Sequence, residues 1–196
     1  MNKIIYRVVR GLFNIYMKLF RGLKIEGREY IPKEGRLLVA ANHTSNLDPP
    51  LIGVGMTRYM YFMAKKELFK NKFIGWFITK LGAFPIDREK ADLEAIKTSL
   101  KILKRGGVLG VFPEGTRSKS GKLGKAQPGI VRIALKAKAP ILPCALINVA
   151  GGKRPVIIRF GKPITLEDYY GRRLSKEETE EVGRIIMAEI QKLLDK

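Results

Sequence analysis

Apolar and polar residues alternate along the chain in blocks that predict strands and helices in turn. Short apolar runs are typical of buried strands, and they occur near residues 23–27, 37–41, 59–64, 84–86, 108–111, 141–147 and 156–160. Apolar residues that recur every three or four positions predict helices over 2–21, 69–81, 91–104, 129–138 and 174–196. This alternation predicts an α/β fold, a single-domain sandwich with a mixed, largely parallel sheet flanked by helices.

The first predicted helix differs from the others in the width of its apolar side. Polar residues form only a narrow stripe along residues 2–21, and residues 1–25 contain six lysines and arginines and no acid. Such a helix can lie in a membrane interface, or it can pack on the protein core with its charges in water. We favour the interface, and we predict an amphipathic membrane-associating helix at 1–22 followed by the α/β domain at 23–196.

A second segment that combines aromatic and basic residues follows the third predicted strand. Residues 69–81 include Phe73 and Trp76, the only tryptophan of the chain, interleaved with lysines. Tryptophan and lysine suit the boundary between lipid headgroups and acyl chains, but an apolar helix also suits a protein core. The sequence favours neither interpretation.

The charge of the chain narrows the range of its partners. It carries 38 lysines and arginines against 18 acidic residues, a formal net charge of +20. An excess of this size implies a polyanionic partner, such as nucleic acid, an anionic membrane or an acidic carrier protein. The basic residues are dispersed and form no nucleic-acid-binding motif, so we expect no nucleic acid partner. A basic nucleic-acid-binding module is kept as the alternative outside the enzymes.

Some classes of protein are excluded by what the sequence lacks. No apolar stretch approaches the ~18 residues of a membrane-spanning helix, and the basic N-terminus lacks the apolar core and cleavage site of a signal peptide. One histidine and one cysteine form no cluster, so we expect neither a metal site nor an internal disulfide. Cys144 lies in an apolar run and is interpreted as a small buried residue rather than a nucleophile.

The candidate chemistry centres on His43, the only histidine among 196 residues. Histidine is the side chain that most readily exchanges a proton near neutral pH. Asp48 follows five residues later, and its carboxylate can fold back onto the imidazole, fix the tautomer and leave the other ring nitrogen as a base. No nucleophile motif such as G-x-S-x-G is present. The pair therefore suits a reaction in which a substrate hydroxyl attacks; the alternative is an ordinary loop histidine.

A second polar segment, residues 112–118 with the sequence FPEGTRS, directly follows the predicted strand 108–111. Open α/β sheets bind ligands at the carboxyl ends of their strands. His43 also follows a predicted strand, so both segments are expected at one edge of the sheet.

Together these segments resemble the glycerolipid acyltransferase family, the PlsC-like 1-acylglycerol-3-phosphate acyltransferases. The family motifs N-H-x-x-x-x-D, roughly G-x-x-F/P-I-x-R, F-P-E-G-T-R-S and an apolar strand with a central proline correspond to residues 42–48, 82–88, 112–118 and 141–145. The resemblance implies transfer of a fatty acyl group from acyl-CoA or acyl-carrier protein to the free sn-2 hydroxyl of 1-acylglycerol-3-phosphate. The product would be phosphatidic acid, and no cofactor is expected beyond the acyl donor.

The resemblance also implies roles for individual residues. His43 would be the general base, and Asp48 would orient it and stabilise the imidazolium that forms. Arg88 and Arg117 would bind the substrate phosphate through their forked donors, with Lys65 as a further phosphate contact. Without the resemblance, each of these cations would be interpreted as a surface charge.

The remaining residues of the FPEGTRS segment are expected to bind the substrate or to hold its loop. Glu114 would face the glycerol hydroxyl or bond to a basic neighbour, since it would be repelled by a phosphate. Backbone N–H groups near Gly115 would stabilise the oxyanion. Thr116 and Ser118 would hold the loop.

Because both substrates carry long acyl chains, we expect the protein at the cytoplasmic face of the cell membrane, as a peripheral or monotopic protein. Its partners would be a lysophospholipid, an acyl thioester and the anionic membrane surface. Glycerol-3-phosphate or another lysophospholipid is the alternative acceptor. A membrane-surface scaffold without catalysis is a further alternative, against which the intact pair of His43 and Asp48 argues.

Overall fold

Within the residues that the computed structural model describes, 1–87, 92–118 and 120–196, seven strands form one mixed sheet. In chain order they are β1 (Lys24–Glu26), β2 (Leu37–Ala41), β3 (Met60–Lys65), β4 (Ala83–Ile86), β5 (Val108–Val111), β6 (Ile141–Ile147) and β7 (Ile157–Phe160). They lie side by side in the order β1-β7-β6-β2-β5-β3-β4. The strands from β6 to β4 are parallel, whereas β7 is antiparallel to β6 and parallel to β1. The predicted mixed, largely parallel sheet is confirmed.

Helices cover both faces of this sheet. They are α1 (Lys3–Arg21), α2 (Asp48–Gly55), α3 (Lys72–Lys80), α4 (Leu93–Lys104), α5 (Pro128–Ala137) and α6 (Lys176–Leu194). Side chains of α1 and α2 pack into the core on one face, and side chains of α4, α5 and α6 pack into the core on the other. α3 contacts α1 and belongs to the first layer.

β2 lies in the middle of the sheet and is buried on both faces, as its unbroken apolar sequence predicts. Leu37, Val39 and Ala41 join the core beneath α1 and α2. Leu38 and Ala40 join the core beneath α4, α5 and α6. The residues that follow β2 therefore emerge at the centre of one edge of the sheet.

α1 packs on the body of the protein along its length. The backbone N–H of Asn2 donates to the carbonyl of Lys80 at 2.9 Å, and Met17 is completely buried. At the other end, the Arg21 guanidinium donates to the carbonyls of Asn148 and Val149 at 3.0 and 3.2 Å. In the described residues, no helix combines the length and the apolar character that crossing a bilayer requires.

Candidate active site

The carboxyl ends of β2 and β5, which are neighbours in the sheet, bring the two polar segments together. The carbonyl of His43 accepts the N–H of Ser118 at 2.8 Å. The side chain of Asn42 donates to the carbonyl of Leu146 at 2.9 Å and accepts the N–H of Leu146 at 2.8 Å. These two bonds extend the ladder between β2 and β6 through a side chain, so the chain leaves the sheet at His43.

His43 and Asp48 form a buried pair. Nδ1 of His43 lies 2.8 Å from Oδ2 of Asp48, which is completely buried. The same oxygen accepts the backbone N–H groups of Thr44 at 2.6 Å and Ser45 at 2.7 Å. Because an ionised carboxylate can only accept, Nδ1 carries the proton and Nε2 keeps its lone pair. The predicted contact is confirmed, and Asp48 is the first residue of α2, with Leu47 at the N-cap position.

Phe112 supports the imidazole on its face. The two rings are inclined by 15° with centroids 3.9 Å apart, and Phe112 in turn stacks on Phe62. The stacked ring and the bonded nitrogen together restrict His43 to one orientation. Sequence reasoning gave no separate role to Phe112 or Asn42, although both lie within the quoted motifs. Asn42 could have been identified because it is a polar residue that directly follows a buried strand.

Glu114 is buried beside the same loop and bonds to backbone groups on both sides of it. Oε1 accepts the backbone N–H of His43 at 3.2 Å, and Oε2 accepts the N–H of Gly124 at 3.0 Å. In the described part of the chain, backbone N–H groups satisfy both oxygens of this carboxylate, and its expected contact with the glycerol hydroxyl or a basic neighbour stays a prediction. Glu114 ties the histidine segment to the loop that follows the FPEGTRS segment.

The backbone N–H groups near Gly115 differ in their partners. The N–H of Gly115 itself donates to the carbonyl of Phe112 at 2.9 Å, which closes a turn, and the φ of this residue, +76°, is one that glycine adopts without strain. The N–H groups of Thr116 and Arg117 have no acceptor among the described residues. These two amides, rather than that of Gly115, are available to an oxyanion.

Two of the candidate phosphate-binding residues are described by the structure, and both lie at the carboxyl edge of the sheet, as His43 does. Arg117 is exposed after β5. Lys65 ends β3, which neighbours β5, and its exposed ammonium lies 3.7 Å from the carboxylate of Glu67. Arg88 lies outside the described residues. Thr116 is exposed, and the hydroxyl of Ser118 donates to the carbonyl of Lys122 at 2.8 Å, so this serine holds the loop as expected.

Cys144 lies on β6 beside Ala41 of β2 and is completely buried, as predicted. Burial raises the pKa of its thiol, and the nearby charge of Asp48 raises it further. The thiol is therefore protonated at neutral pH and unsuited to nucleophilic attack. No group of side chains in the described residues could hold a metal ion.

Substitution of Glu114 by glutamine tests its structural contacts. The amide keeps one acceptor but turns a donor toward one of the two N–H groups, so we expect the free energy of unfolding to fall by about 1–3 kcal/mol, with a parallel loss of activity. Urea denaturation measures the first effect, and the initial rate of the catalysed reaction measures the second. Glu180→Gln, at an exposed position on α6, is the matched control and should change stability by less than about 0.5 kcal/mol. Equal stability of the two variants would contradict the structural role assigned to the two hydrogen bonds of Glu114.

Comparisons with known proteins identify the family of this chain. A sequence model of the acyltransferase family matches residues 22–147. The 1-acyl-sn-glycerol-3-phosphate acyltransferase of Bacillus subtilis (strain 168) is 38% identical over 149 residues, which cover 76% of this chain and 74% of that protein. The enzyme of the same name from Streptococcus pneumoniae (strain ATCC BAA-255 / R6) is 31% identical, covering 98% of this chain and 74% of its own length.

A solved structure extends the similarity to the fold. The crystal structure of the 1-acyl-sn-glycerophosphate (LPA) acyltransferase PlsC from Thermotoga maritima matches with a TM-score of 0.68 at 26% sequence identity. The match covers 95% of this chain and 82% of that one. The resemblance seen in the sequence motifs is therefore confirmed, and the chain belongs to the acyltransferase family.

Proposed function

We propose that the protein transfers a fatty acyl group from a thioester donor, acyl-CoA or acyl-carrier protein, to the sn-2 hydroxyl of 1-acyl-sn-glycerol-3-phosphate, giving phosphatidic acid. The names of its relatives support this acceptor. The observation that carries the chemistry is the buried pair of His43 and Asp48 at the carboxyl edge of the sheet, with Nδ1 and Oδ2 2.8 Å apart. No further cofactor enters the reaction.

In this reaction His43 takes the hydroxyl proton at Nε2 while Asp48 stabilises the imidazolium that forms. The alkoxide attacks the thioester carbonyl, and a carbon–oxygen bond forms. The tetrahedral intermediate then collapses, the carbon–sulfur bond breaks, and the imidazolium returns its proton to the departing thiolate. The substrate supplies the attacking oxygen, so no protein nucleophile is required.

The oxyanion of the intermediate is assigned to the N–H groups of Thr116 and Arg117. Their support is that both amides follow the turn closed by Gly115 and have no acceptor among the described residues. Backbone donors fixed before the reaction stabilise developing charge at little reorganisation cost. This assignment names which of the N–H groups near Gly115 would bind the oxyanion.

The phosphate of the acceptor is assigned to the cations that the strands place at this edge. Arg117 and Lys65 are exposed there, and Arg88 is kept as a candidate from the sequence. A guanidinium binds a phosphate through two parallel bonds, which an ammonium cannot reproduce.

Substitution of Arg117 by alanine is expected to raise the apparent KM for the phosphorylated acceptor by roughly ten- to a hundredfold, since a charge-assisted bond contributes about 1.5–3 kcal/mol. The KM for the acyl donor should change little. Steady-state kinetics with each substrate varied in turn measures both. Arg184→Ala, at an exposed position on α6, is the matched control. An unchanged KM for the acceptor in the Arg117 variant would contradict the phosphate role.

We also propose that α1 lies in an anionic membrane interface. Its outer side exposes a continuous row of apolar side chains: Ile4, Val8, Leu12, Ile15, Tyr16, Leu19 and Phe20. Both substrates carry acyl chains, so an enzyme resting on the bilayer meets them where they reside. The buried side of α1 keeps the helix attached to the catalytic body.

One assay tests the proposed function directly. Purified protein is incubated with lysophosphatidate and each donor in turn, and phosphatidate is detected by mass. Glycerol-3-phosphate and a lysolipid without a terminal phosphate are offered in parallel, and preference for either would reassign the acceptor. Absence of acyl transfer together with salt-dependent DNA binding would favour the nucleic-acid-binding alternative.

A further inference from the structure

α3 exposes the aromatic side chains that a core helix would bury. Phe73 is 74% exposed and Trp76 is 52% exposed, and Gly75 is the only buried residue of this fully described helix. A Cβ at Gly75 would lie 3.1 Å from the Cα of Phe69. The helix therefore turns its smallest residue toward the protein and the rings of Phe73 and Trp76 toward the surroundings. The interpretation of residues 69–81 as a core helix is excluded.

The exposed side of α3 has the chemistry of the lipid headgroup boundary. The rings of Phe73 and Trp76 stack with centroids 6.3 Å apart, and Nζ of Lys80 lies 5.9 Å from the centroid of the Trp76 ring. Tryptophan is enriched at membrane interfaces because its ring is both apolar and polar. A neighbouring lysine can reach past the ring toward a phosphate.

Exposed large apolar side chains are concentrated in the layer that contains α3. In the described residues, α1 and the segment from Leu68 to Trp76 hold most of them, and α5 and α6 hold none. On the opposite layer, Leu93 at the start of α4 is the exposed example. An apolar patch on one side of an otherwise charged protein indicates an interaction surface.

α1 and α3 meet in space, and α1 also contacts the helix that begins at Asp48. The bond from the N–H of Asn2 to the carbonyl of Lys80 joins the beginning of α1 to the end of α3. α1 also packs on α2, whose first residue is Asp48. α1, α2 and α3 thus belong to one layer, and one surface can contact both α1 and α3 on its outer side.

We propose that α3 is a second membrane contact, which places Phe73 and Trp76 at the headgroup boundary of an anionic bilayer beside α1. The inference rests on the proposed function, because that function requires membrane lipids as substrates. The net charge of +20 favours an anionic bilayer. It disfavours a second copy of the chain, since two such copies repel each other.

The only tryptophan of the chain reports on α3 without any substitution. Vesicles of phosphatidylcholine and phosphatidylglycerol should shift the emission of Trp76 to shorter wavelength, and lipids brominated on their acyl chains should quench it. Pure phosphatidylcholine should give a smaller effect. If the protein sediments with anionic vesicles while its emission stays unshifted and unquenched, α3 is not in the membrane and the proposal is wrong.

Matched serine variants separate the two helices. The double variant Phe73→Ser with Trp76→Ser should bind anionic vesicles at least about tenfold more weakly, because two exposed rings lose their burial. Leu12→Ser, on α1, should also weaken binding. Leu93→Ser, which alters a 65% exposed residue on the opposite layer, is the control and should bind as the wild type does. Equal binding by the α3 variant and the control would overturn the proposal.

A second readout distinguishes a failure of docking from a failure of the proposed function. Each variant is assayed without vesicles on a short-chain lysophosphatidate and a short-chain thioester below their micelle concentrations. The α3 variant should turn these substrates over at the wild-type rate while losing most of its activity on vesicles. Equal losses in both assays would assign α3 to the catalytic body instead.

Discussion

Replacement of His43 by alanine is expected to lower the turnover number for acyl transfer by about 10²–10⁴-fold, because the reaction loses its general base and the acid that protonates the thiolate. No other histidine exists in the chain to take over this role. The imidazole is less than one-tenth exposed, so bulk water has little access to it. Initial rates of phosphatidate formation at saturating substrates measure the loss.

A second substitution distinguishes the contribution of the imidazole to turnover from that of the ring stacked on it. Phe112→Leu removes the ring stacked on His43 but keeps the imidazole and its bond to Asp48, so a smaller loss of turnover is expected. Thermal unfolding establishes whether His43→Ala keeps the native fold. A folded alanine variant with turnover within about fivefold of the wild type would remove His43 from the mechanism.

Replacement of Asp48 by asparagine is expected to cost on the order of 10²–10⁴ in turnover, as loss of an orienting carboxylate does in hydrolytic triads. The amide has the same shape, and with its oxygen toward the ring it can still accept the N–H groups of Thr44 and Ser45, which bond to that same oxygen in the wild type. A neutral amide cannot stabilise the imidazolium, however. If its NH₂ faces the ring, Nδ1 becomes the acceptor and the proton moves to Nε2, where it blocks the base.

Comparing the loss of turnover with the loss of unfolding free energy in Asp48→Asn distinguishes an orienting role of Asp48 from a purely structural one. A purely structural carboxylate would lower the free energy of unfolding and turnover together, whereas an orienting one lowers turnover far more than stability. Asp168→Asn, at an exposed carboxylate, controls for the loss of one negative charge. Near-normal turnover in Asp48→Asn would mean that the carboxylate only holds the loop.

The sheet and the contact between His43 and Asp48 could be predicted because both depend on short-range patterns. The unbroken apolar run of β2 predicts a strand buried on both faces, and a strand end fixes where His43 emerges. Asp48 lies five residues away, so one loop determines whether it reaches the ring. The wide apolar side of α1 was likewise visible as a helical repeat.

The remaining features could not be predicted because they depend on contacts between distant segments. Glu114 bonds to the backbone N–H groups of His43 and Gly124. Because nearly every residue type has a backbone N–H, the sequence cannot show which ones a distant carboxylate will contact. The amide of Gly115 is occupied by a turn within its own segment. For α3, the side that faces water depends on how Gly75 meets Phe69, which apolar content alone does not specify.

Backbone N–H groups hold the two buried carboxylates of the site, Asp48 and Glu114. This arrangement determines how each step of the reaction should depend on ionic strength. Peptide dipoles belong to the fold, so dissolved ions cannot displace them, and buried charges are screened far less than exposed ones. The exposed cations assigned to phosphate and bilayer are open to screening. Added salt should therefore weaken recruitment of the enzyme and its acceptor while leaving the proton transfer nearly unchanged, so a salt titration can resolve the two steps in one unmodified protein.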